Sequence, residues 1–505
     1  MKIRKVLVAN RGEIAIRVMR TLREMHIESV AVFSDSDKSA RFHRFADEAY
    51  SIGGTTSRES YLAQEKILDV ARRSGCDSIH PGYGFLSENA AFATACQDAG
   101  LIFIGPKPGV ITALGDKTEA RKLAIRAGLP IAAGTENAID DIAEAHRIAD
   151  GIGYPVLVKA AAGGGGKGMK QVQRSAEFEK LFRSAQSEAQ SAFGDGRVYI
   201  EKYLENPRHI EIQILCDAHG HAVYLHEREC SIQRRHQKVI EEAPSSVLTP
   251  ELRKEMGECA VRLAVEAGYT NAGTVEFLLD KHRKFYFLEV NTRLQVEHPV
   301  TEMITGLDLV REQIRIAEGA ALSFSQADVE MRGHSIECRV YAEDAANDFL
   351  PSIGRLSHYV EPNGFGVRTD SAVAQGSEIT MHFDPMISKL VVWDKTRAQA
   401  IEKMRRALAE YEIAGVETTI PFCLFAMQHA AFQSGNFDTH FIQNFYTSRE
   451  VAPQSPDRIE AAAVLASLLA SMGVPTKKTE SAMTSSREPK LAPAAETNWE
   501  RRKYV

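Results

Sequence analysis

The stretch FYFLEVNTRLQVEHPVTE, residues 285–302, is the key to interpreting the rest of the chain. Its first seven residues are mostly aromatic or branched, which predicts a β-strand. Side chains of a strand alternate between two faces, so Glu289 and Asn291 share one face. If the chain stays extended, the same face also carries Arg293, Gln295 and Glu297. Such a row is either a site for metal ions and an anion or the polar face of a half-exposed strand.

A second strand is predicted from GTVEFLLD at 273–280, where Glu276 lies between apolar neighbours. If this strand forms a hairpin with the first, Glu276 lies directly opposite Glu289 on the same face. Opposed like charges destabilise a sheet unless a positive charge lies between them. Hard oxygen ligands of this kind bind Mg²⁺ together with phosphate oxygens. We therefore predict that Glu276, Glu289 and Asn291 hold a divalent cation for a phosphate-bearing ligand.

Composition excludes several classes of protein. The 505-residue chain is long enough for two to four domains. Its net charge of −6 does not predict a nucleic-acid-binding surface. None of the seven cysteines forms a C-x-x-C pair, so we expect no zinc site and a reducing, cytoplasmic location. The first residues lack a signal-peptide pattern, and no apolar run approaches the ~20 residues of a membrane span, so no membrane association is predicted.

The N-terminal part, residues 1–115, alternates strand and helix patterns, which is typical of an α/β doubly wound parallel sheet. The first strand–helix turn reads NRGEIA and lacks a G-x-G-x-x-G motif, so a dinucleotide site is not predicted. The loop HPGYGFLSEN at 80–89 follows a predicted strand and is either a ligand-binding loop or a plain turn.

The central part contains two candidate ligand-binding stretches. A strand at 154–160 ends in Lys159, and four glycines, 163–166, follow it. Their N–H groups could approach phosphates, although the loop is not a Walker motif and a flexible linker is the alternative. The stretch CSIQRRHQKVIEEAPS at 230–245 is either a set of ligand contacts or a solvated charged face. Lys117, near a predicted helix start, is an exposed lysine unless a ligand recruits it.

The C-terminal part begins after a linker at 320–333. Residues 334–394 are rich in strand patterns and 396–414 read as a helix, which predicts an α+β domain. Arg339 lies in one of these strands, where an ion-paired structural role is the plain interpretation. Near the end, a helix is predicted at 457–472, followed by a disordered tail.

Taken together, the chain resembles the biotin carboxylase family of ATP-grasp ligases over about residues 1–446. The stretches that carry the resemblance are ANRGEIAIR, HPGYGFLSEN, KAAAGGGGKGM, EKYLENPRHIEIQIL, CSIQRRHQKVIEEAPS and EVNTRLQVEHPVTE. The resemblance implies a pre-ATP-grasp domain over 1–115, an ATP-grasp domain over 116–320 with a lid at about 130–205, and a biotin carboxylase C-terminal domain over 334–446. An extension, 447–505, would follow.

The resemblance also implies a role for each matching residue. ATP would be held by Lys117, Lys159, Gly163, Gly164, Gly165, Gly166, Glu201, Lys202, Leu204, His209, Gln233, His236, Glu276 and Leu278. Two Mg²⁺ or Mn²⁺ ions would be bound by Glu276, Glu289 and Asn291. Bicarbonate would be held by Lys238, Arg293, Gln295 and the backbone of Val296. Glu297 would be the base that deprotonates bicarbonate, and Arg339 would face biotin.

The implied reaction is ATP-dependent carboxylation of biotin through carboxyphosphate, the first half-reaction of an acyl-CoA or pyruvate carboxylase. Biotin would arrive on a biotin carboxyl carrier protein, and a carboxyltransferase on another chain would choose the final acceptor. A homodimer is expected. The alternatives are another ATP-grasp ligase, such as one resembling carbamoyl-phosphate synthetase, or a non-catalytic nucleotide-binding subunit.

Overall fold

A computed structural model describes residues 2–135, 137–161 and 168–447 of the chain. The predicted glycine loop at 163–166, the helix at 457–472 and the disordered tail lie outside the described residues. Within those residues, no helix is both long and apolar enough to cross a membrane.

The N-terminal part forms the predicted doubly wound sheet. Its five strands are parallel and lie in the order β3-β2-β1-β4-β5. The elements are β1 (Lys5–Val8), α1 (Gly12–Glu24), β2 (Glu28–Phe33), β3 (Glu48–Ser51), α2 (Gln64–Arg73), β4 (Ser78–His80), α3 (Ala90–Asp98), β5 (Ile102–Phe103) and α4 (Pro108–Gly115). Strand β3 has no counterpart in the sequence pattern, because this edge strand, EAYS, has no buried residue to mark it.

A small three-stranded sheet follows, with the order β7-β6-β8. The elements of this part are α5 (Lys117–Arg126), α6 (Ile142–Ile152), β6 (Val156–Ala160), β7 (Met169–Val172), α7 (Phe178–Phe193) and β8 (Val198–Lys202). The two longer helices cover the sheet with a core of their own, formed by residues such as Phe178, Phe182, Val156 and Ile200. Lys159 therefore stands on a strand with its own packed support.

The large sheet of the molecule contains eight antiparallel strands in the order β13-β12-β9-β10-β11-β14-β21-β19. Its first part contains β9 (Arg208–Cys216), β10 (Ala222–Arg234), β11 (Gln237–Ala243), α8 (Pro250–Glu266), β12 (Asn271–Leu279), β13 (Phe285–Asn291), α9 (His298–Thr305) and α10 (Leu309–Ala317). Strand β14 (His334–Tyr341) pairs with β11, so the sheet continues across the predicted linker at 320–333.

The remaining elements complete the C-terminal part. They are β15 (Glu343–Asp344), β16 (Leu350–Pro351), β17 (Gly354–Arg355), β18 (His358–Val360), β19 (Val367–Ser371), β20 (Glu378–Ile379), β21 (Met386–Asp394), α11 (Arg397–Glu410), β22 (Glu412–Ala414), α12 (Ile420–Gln428), α13 (Ala430–Ser434) and α14 (Phe441–Phe445). The prediction of a helix over 396–414 is wrong at its C-terminal end, because α11 ends at Glu410. Residues 412–414 instead pair with β18, because the helical apolar pattern does not reveal a strand that forms only by long-range pairing.

The predicted hairpin has the expected register. Glu276 of β12 lies opposite Glu289 of β13, and a bulge directly after Glu276 shifts the rest of the pairing. The expectation of an extended chain beyond Thr292 is wrong, since β13 ends at Asn291. The Thr292 N–H donates to Glu88 Oε1 at 3.0 Å instead of to a neighbouring strand, and a helix with proline in its first turn begins at His298.

Candidate active site

A row of charged side chains runs across four strands of the large sheet. Glu289, Glu276, Glu211 and Arg228 are successive cross-strand partners on β13, β12, β9 and β10. Partners directly opposite one another share a face of the sheet. Three carboxylates and one guanidinium therefore lie side by side, and the arrangement needs further positive charge.

Lys238 of β11 supplies part of that charge. Its ammonium donates to Glu276 Oε1 at 2.9 Å, to Glu297 Oε1 at 2.6 Å and to Glu211 Oε2. Arg228, which is fully buried, donates to Glu211 from the other side. Glu211 is thus neutralised by two cations of the protein itself.

Glu276 is surrounded by donors. His209 Nε2 lies 2.9 Å from its Oε2 atom, and Asn291 Nδ2 donates to its Oε1 atom at 2.9 Å. Burial alone would raise the pKa of Glu276, but Lys238 and His209 outweigh burial and hold the pKa below its ordinary value. The carboxylate is therefore ionised at neutral pH. Glu289 is paired separately, with its Oε2 atom 3.0 Å from Lys117 Nζ.

Glu297 is fully buried between two cations. Besides Lys238, it accepts from Arg339, whose Nη2 atom lies 2.9 Å from Glu297 Oε2. Burial opposes ionisation of Glu297, yet Lys238 and Arg339 hold its pKa well below the ordinary value. The same Arg339 donates to Glu241 Oε1 at 2.6 Å, and burial raises the pKa of Glu241 to about 7. The ion-paired strand role considered for Arg339 is therefore present, and the same side chain also borders the cavity described below.

The turn after β13 brings the remaining predicted residues to the same place. Arg293 donates to Glu88 Oε2 at 2.8 Å, to Gln295 Oε1 at 3.1 Å and to Asn291 Oδ1 at 3.2 Å. Although the chain is no longer extended there, Arg293, Gln295 and Glu297 stay close to one another. Glu88 comes from the HPGYGFLSEN loop, which therefore contributes to the site rather than forming a plain turn.

These groups surround a cavity of about 1110 Å³. The predicted residues that line it are Lys117, Lys159, Glu201, Lys202, Leu204, His209, Gln233, His236, Lys238, Glu276, Leu278, Glu289, Asn291, Arg293, Gln295, Val296 and Arg339. Lys159 Nζ lies 2.5 Å from Glu201 Oε1 in one wall. Glu297 does not itself line the cavity but lies directly behind Lys238 and Arg339. Lys117 is not an exposed lysine, because it pairs with Glu289 in this wall. The stretch 230–245 also lines the cavity, but its Arg235, His236 and Gln237 are exposed, so ligand contacts there stay a prediction.

Sequence reasoning missed Glu211, Glu241 and Glu88. A signal for Glu211 was present, because it shares the parity of His209 in the strand RHIEIQILC. Glu241 could be found only from the pairing of β11 with β14, which no local pattern shows.

The oxygen donors at this wall fit a hard divalent cation. Glu276, Glu289 and Asn291 present two carboxylates and an amide towards the cavity, the ligand types that Mg²⁺ accepts alongside phosphate oxygens. Ligand atoms of His209, Glu211 and Glu276 also lie within 4.8 Å of one another. We favour Glu276, Glu289 and Asn291 as the metal ligands, because Arg228 and Lys238 already neutralise the charge of Glu211.

Three family models match the chain in sequence. Residues 2–111 match "Biotin carboxylase, N-terminal domain", residues 116–325 match "Carbamoyl-phosphate synthase L chain, ATP binding domain", and residues 337–444 match "Biotin carboxylase C-terminal domain". The ATP-binding model is named after carbamoyl-phosphate synthases, whereas the two flanking models are named after biotin carboxylases.

Curated relatives are similar over most of their length. The chain is 56% identical over 441 residues to a pyruvate carboxylase subunit of Methanothermobacter thermautotrophicus, covering 87% of this chain and 90% of the relative. It is 50% identical over 444 residues to biotin carboxylase 1 of Bacillus subtilis, covering 88% and 99%.

Solved structures show the same likeness in three dimensions. The biotin carboxylase domain dimer of Hydrogenobacter thermophilus 2-oxoglutarate carboxylase, solved with MgADP, ADP and bicarbonate, superposes with a TM-score of 0.87 at 47% identity, covering 90% of this chain and all of the other. Biotin carboxylase from Campylobacter jejuni, in a β-γ-ATP complex, gives 0.86 at 46% identity, covering 88% and 99%. The chain therefore belongs to the biotin carboxylase family, the ATP-dependent ligases that carboxylate biotin.

Proposed function

We propose that the cavity binds ATP and bicarbonate, that Glu297 is the base, and that biotin reaches Arg339 on a separate carrier protein. The observation that carries this assignment is the position of Glu297. It is an ionised carboxylate held by Lys238 and Arg339 directly behind the wall of a cavity of about 1110 Å³. A base sheltered from bulk water beside two cations suits the deprotonation of a small anion.

ATP occupies the larger part of this cavity. Its phosphates and ribose contact Lys117, Lys159, His209, Gln233 and His236, and its adenine lies near Glu201, Lys202, Leu204 and Leu278. The family resemblance adds the glycines 163–166, which lie outside the described residues, as proposed phosphate contacts. The two lysines support this assignment because each now pairs with a carboxylate, Glu289 or Glu201, which a phosphate can replace as a partner.

Glu276, Glu289 and Asn291 would hold two Mg²⁺ or Mn²⁺ ions, and Glu276 would also contact the nucleotide. When bound, the ions offset the negative charge that develops on the transferring phosphoryl group. The chain's own contribution is to keep Glu276 ionised and oriented through His209 and Asn291.

In the first step, Lys238, Arg293, Gln295 and the Val296 backbone hold bicarbonate. Glu297 takes the bicarbonate proton, and the freed oxygen attacks the γ-phosphorus of ATP. The bond from that phosphorus to the β,γ-bridging oxygen breaks, which gives carboxyphosphate and ADP.

In the second step, carboxyphosphate splits into CO₂ and phosphate. The phosphate takes the ureido proton of biotin, and the biotin nitrogen attacks CO₂. Arg339 stabilises the enolate that forms on the ureido oxygen. Protonation of Glu297 in the first step weakens its ion pair with Arg339, so a guanidinium N–H becomes available for biotin when it is needed.

The carboxyl group leaves on the carrier, and a carboxyltransferase on another chain selects the acyl-CoA or pyruvate acceptor. We propose a cytoplasmic homodimer with domain boundaries at 1–115, 116–320 and 334–446. The discontinuity between the second and third family models, at residues 326–336, supports the last boundary.

The test uses the full chain with Mg²⁺, bicarbonate and free biotin. We expect ATP hydrolysis that requires both bicarbonate and biotin. Arg339→Met should lower the biotin-dependent rate by about 10²-fold, the usual cost of losing one donor to a developing oxyanion, while the KM for ATP changes less than about twofold. Arg397→Met is the matched control, because this arginine pairs with Glu242 away from the cavity.

A rate of ATP hydrolysis that does not depend on biotin but rises with an amine donor would favour a ligase resembling carbamoyl-phosphate synthetase. No hydrolysis under any of these conditions would favour the non-catalytic alternative. An equal loss of ATP binding and biotin carboxylation in Arg339→Met would contradict the role given to Arg339.

A further inference from the structure

A buried lysine on the C-terminal strand β21 contacts the turn that carries Glu297. Lys389 is completely buried, and its Nζ atom donates to the carbonyl oxygen of Val296 at 2.8 Å. Val296 directly precedes Glu297 in the chain. None of the steps above uses this lysine.

The sheet register places Lys389 beside Arg339. The two residues are direct cross-strand partners on β21 and β14, so their side chains leave the same face. Arg339 holds the Glu297 carboxylate at 2.9 Å, while Lys389 holds the peptide group immediately before it. Two adjacent cations of the C-terminal part therefore fix Glu297, one through its side-chain carboxylate and the other through the peptide group that precedes it.

The contact constrains Glu297 because the peptide group is planar. The Val296 carbonyl and the Glu297 N–H belong to one rigid plane, so fixing the oxygen fixes the direction in which the Glu297 backbone leaves that plane. The side-chain carboxylate must remain within hydrogen-bond reach of the proton it removes. A misplacement of about 1 Å in such a group lowers a rate by about 10²-fold.

The other neighbours of Lys389 keep its ammonium in place. Glu13 Oε1 of α1 lies 3.3 Å away and Asp370 Oδ2 of β19 lies 3.9 Å away. Asp370 is already bound by Arg368 at 2.7 Å, whereas Glu13 has no other ion pair among the described residues. Lys389 also opposes the rise that burial causes in the pKa of Glu337 on β14. Burial raises the pKa of Glu13 to about 7, and Lys389 opposes that rise. The lysine thus joins the N-terminal helix α1, the C-terminal sheet and the catalytic turn.

We infer that Lys389 is a positioning residue for the base Glu297, acting through the Val296 carbonyl. The inference rests on the proposed role of Glu297. It predicts that loss of the ammonium lowers turnover while nucleotide binding is unchanged, because Lys389 contacts none of the residues proposed to hold ATP.

The experiment measures ATP hydrolysis dependent on bicarbonate and biotin, together with the thermal unfolding midpoint, for the full chain. Lys389→Met should lower kcat by about 10²-fold with the KM for ATP within about twofold of wild type. Lys403→Met is the matched control: Lys403 also lies against β21, donates to the Trp393 carbonyl at 2.8 Å and pairs with Asp394, but it is remote from Glu297. We expect its kcat to remain within about twofold of wild type.

A second variant separates positioning from stability. Lys389→Met leaves Glu13 buried without its ion pair, which destabilises the fold. Adding Glu13→Gln removes that orphaned carboxylate, so the double variant should regain much of the lost unfolding midpoint while its kcat stays low. If the double variant regains kcat together with stability, or if Lys389→Met alone retains kcat within about threefold, the inference is overturned. A wild-type chain without activity would instead refute the proposed function.

Discussion

Two buried ionic clusters differ in what lies beside them. The catalytic cluster, named for the role proposed above, contains Lys238, Glu211, Glu276, Glu297 and Arg339. The joint cluster contains Arg17, Glu302, Asp308, Arg368 and Asp370. The first borders the large cavity, whereas none of the joint residues lines it. In the joint cluster, Arg17 pairs with Glu302 at 2.6 Å and with Asp308 at 2.7 Å, and Arg368 pairs with Glu302 at 2.7 Å.

The difference separates a cluster that can bind substrate from a cluster that stabilises the fold. In the catalytic cluster, each cation that faces the cavity has carboxylate partners that an anionic substrate can displace. In the joint cluster, the charges come from α1, α9, the N-cap of α10 and β19 and pair with one another, so they hold these parts of the chain together. Burial and ion pairing alone therefore do not identify a reactive site; access to a cavity does.

The largest expected effect is on turnover. Glu297→Gln removes the carboxylate proposed as the base while keeping its shape, so bicarbonate-dependent ATP hydrolysis should fall by about 10²- to 10⁴-fold. Lys238 and Arg339 keep other carboxylate partners, so the loss of unfolding free energy should be smaller than for a variant of the joint cluster. Steady-state kinetics and urea denaturation measure the two effects. Activity within about fivefold of wild type would remove Glu297 from the mechanism.

The converse effect is expected in the joint cluster. Arg17→Met removes the cation that Glu302 and Asp308 share, while Glu302 keeps Arg368, so the change should cost about 1.5–3 kcal/mol of unfolding free energy. Catalytic turnover of the folded fraction should stay close to wild type. The control is Arg126→Met, whose exposed pairing with Glu266 lies outside both clusters and should cost less than about 1 kcal/mol. Equal losses of unfolding free energy in the two variants would mean that the joint cluster stabilises the fold no more than an exposed ion pair does.

A smaller effect, on the pH dependence of the unfolding free energy, should come from His298, which lies between the two clusters. Burial and the nearby Lys389 and Arg17 lower the pKa of His298 well below its ordinary value. As pH falls below about 6.5, the unfolded chain binds a proton there that the folded chain does not, so stability is lost at about 1.4 kcal/mol per pH unit.

The variant His298→Asn tests this slope. Asparagine keeps a donor near the Gln295 carbonyl, which His298 Nδ1 approaches at 2.8 Å, but it does not titrate. Unfolding free energies at pH 7, 6 and 5 should therefore fall less steeply for the variant than for wild type. Parallel slopes would show that His298 accepts a proton in the folded state.

Local sequence patterns predicted the N-terminal sheet and the hairpin register because both depend on short-range alternation. The opposition of Glu276 and Glu289 followed from strand parity together with a hairpin centred on His282 and Arg283. The positive charge expected between them proved to include lysines of the protein: Lys238 on Glu276 and Lys117 on Glu289. The sequence could not show these pairs, because the lysines come from strands and helices far away in the chain.

Local sequence patterns also could not predict the turn after Asn291 or the inferred role of Lys389, because both depend on contacts between residues far apart in the chain. The strand ends where Glu88, about two hundred residues earlier, takes the Thr292 N–H. Lys389 looks like one more residue of an apolar strand, ISKLVVWD, until the pairing of β21 with β14 places it beside Arg339.

The pairing of β11 with β14 has a practical consequence for dividing the protein. A fragment that stops at residue 333 would leave β11 as an uncovered edge, and a fragment that starts at 334 would leave β14 uncovered. Unpaired strand edges recruit other chains and promote aggregation. Fragments cut at this linker should therefore be insoluble when expressed separately and regain solubility when the two pieces are produced together.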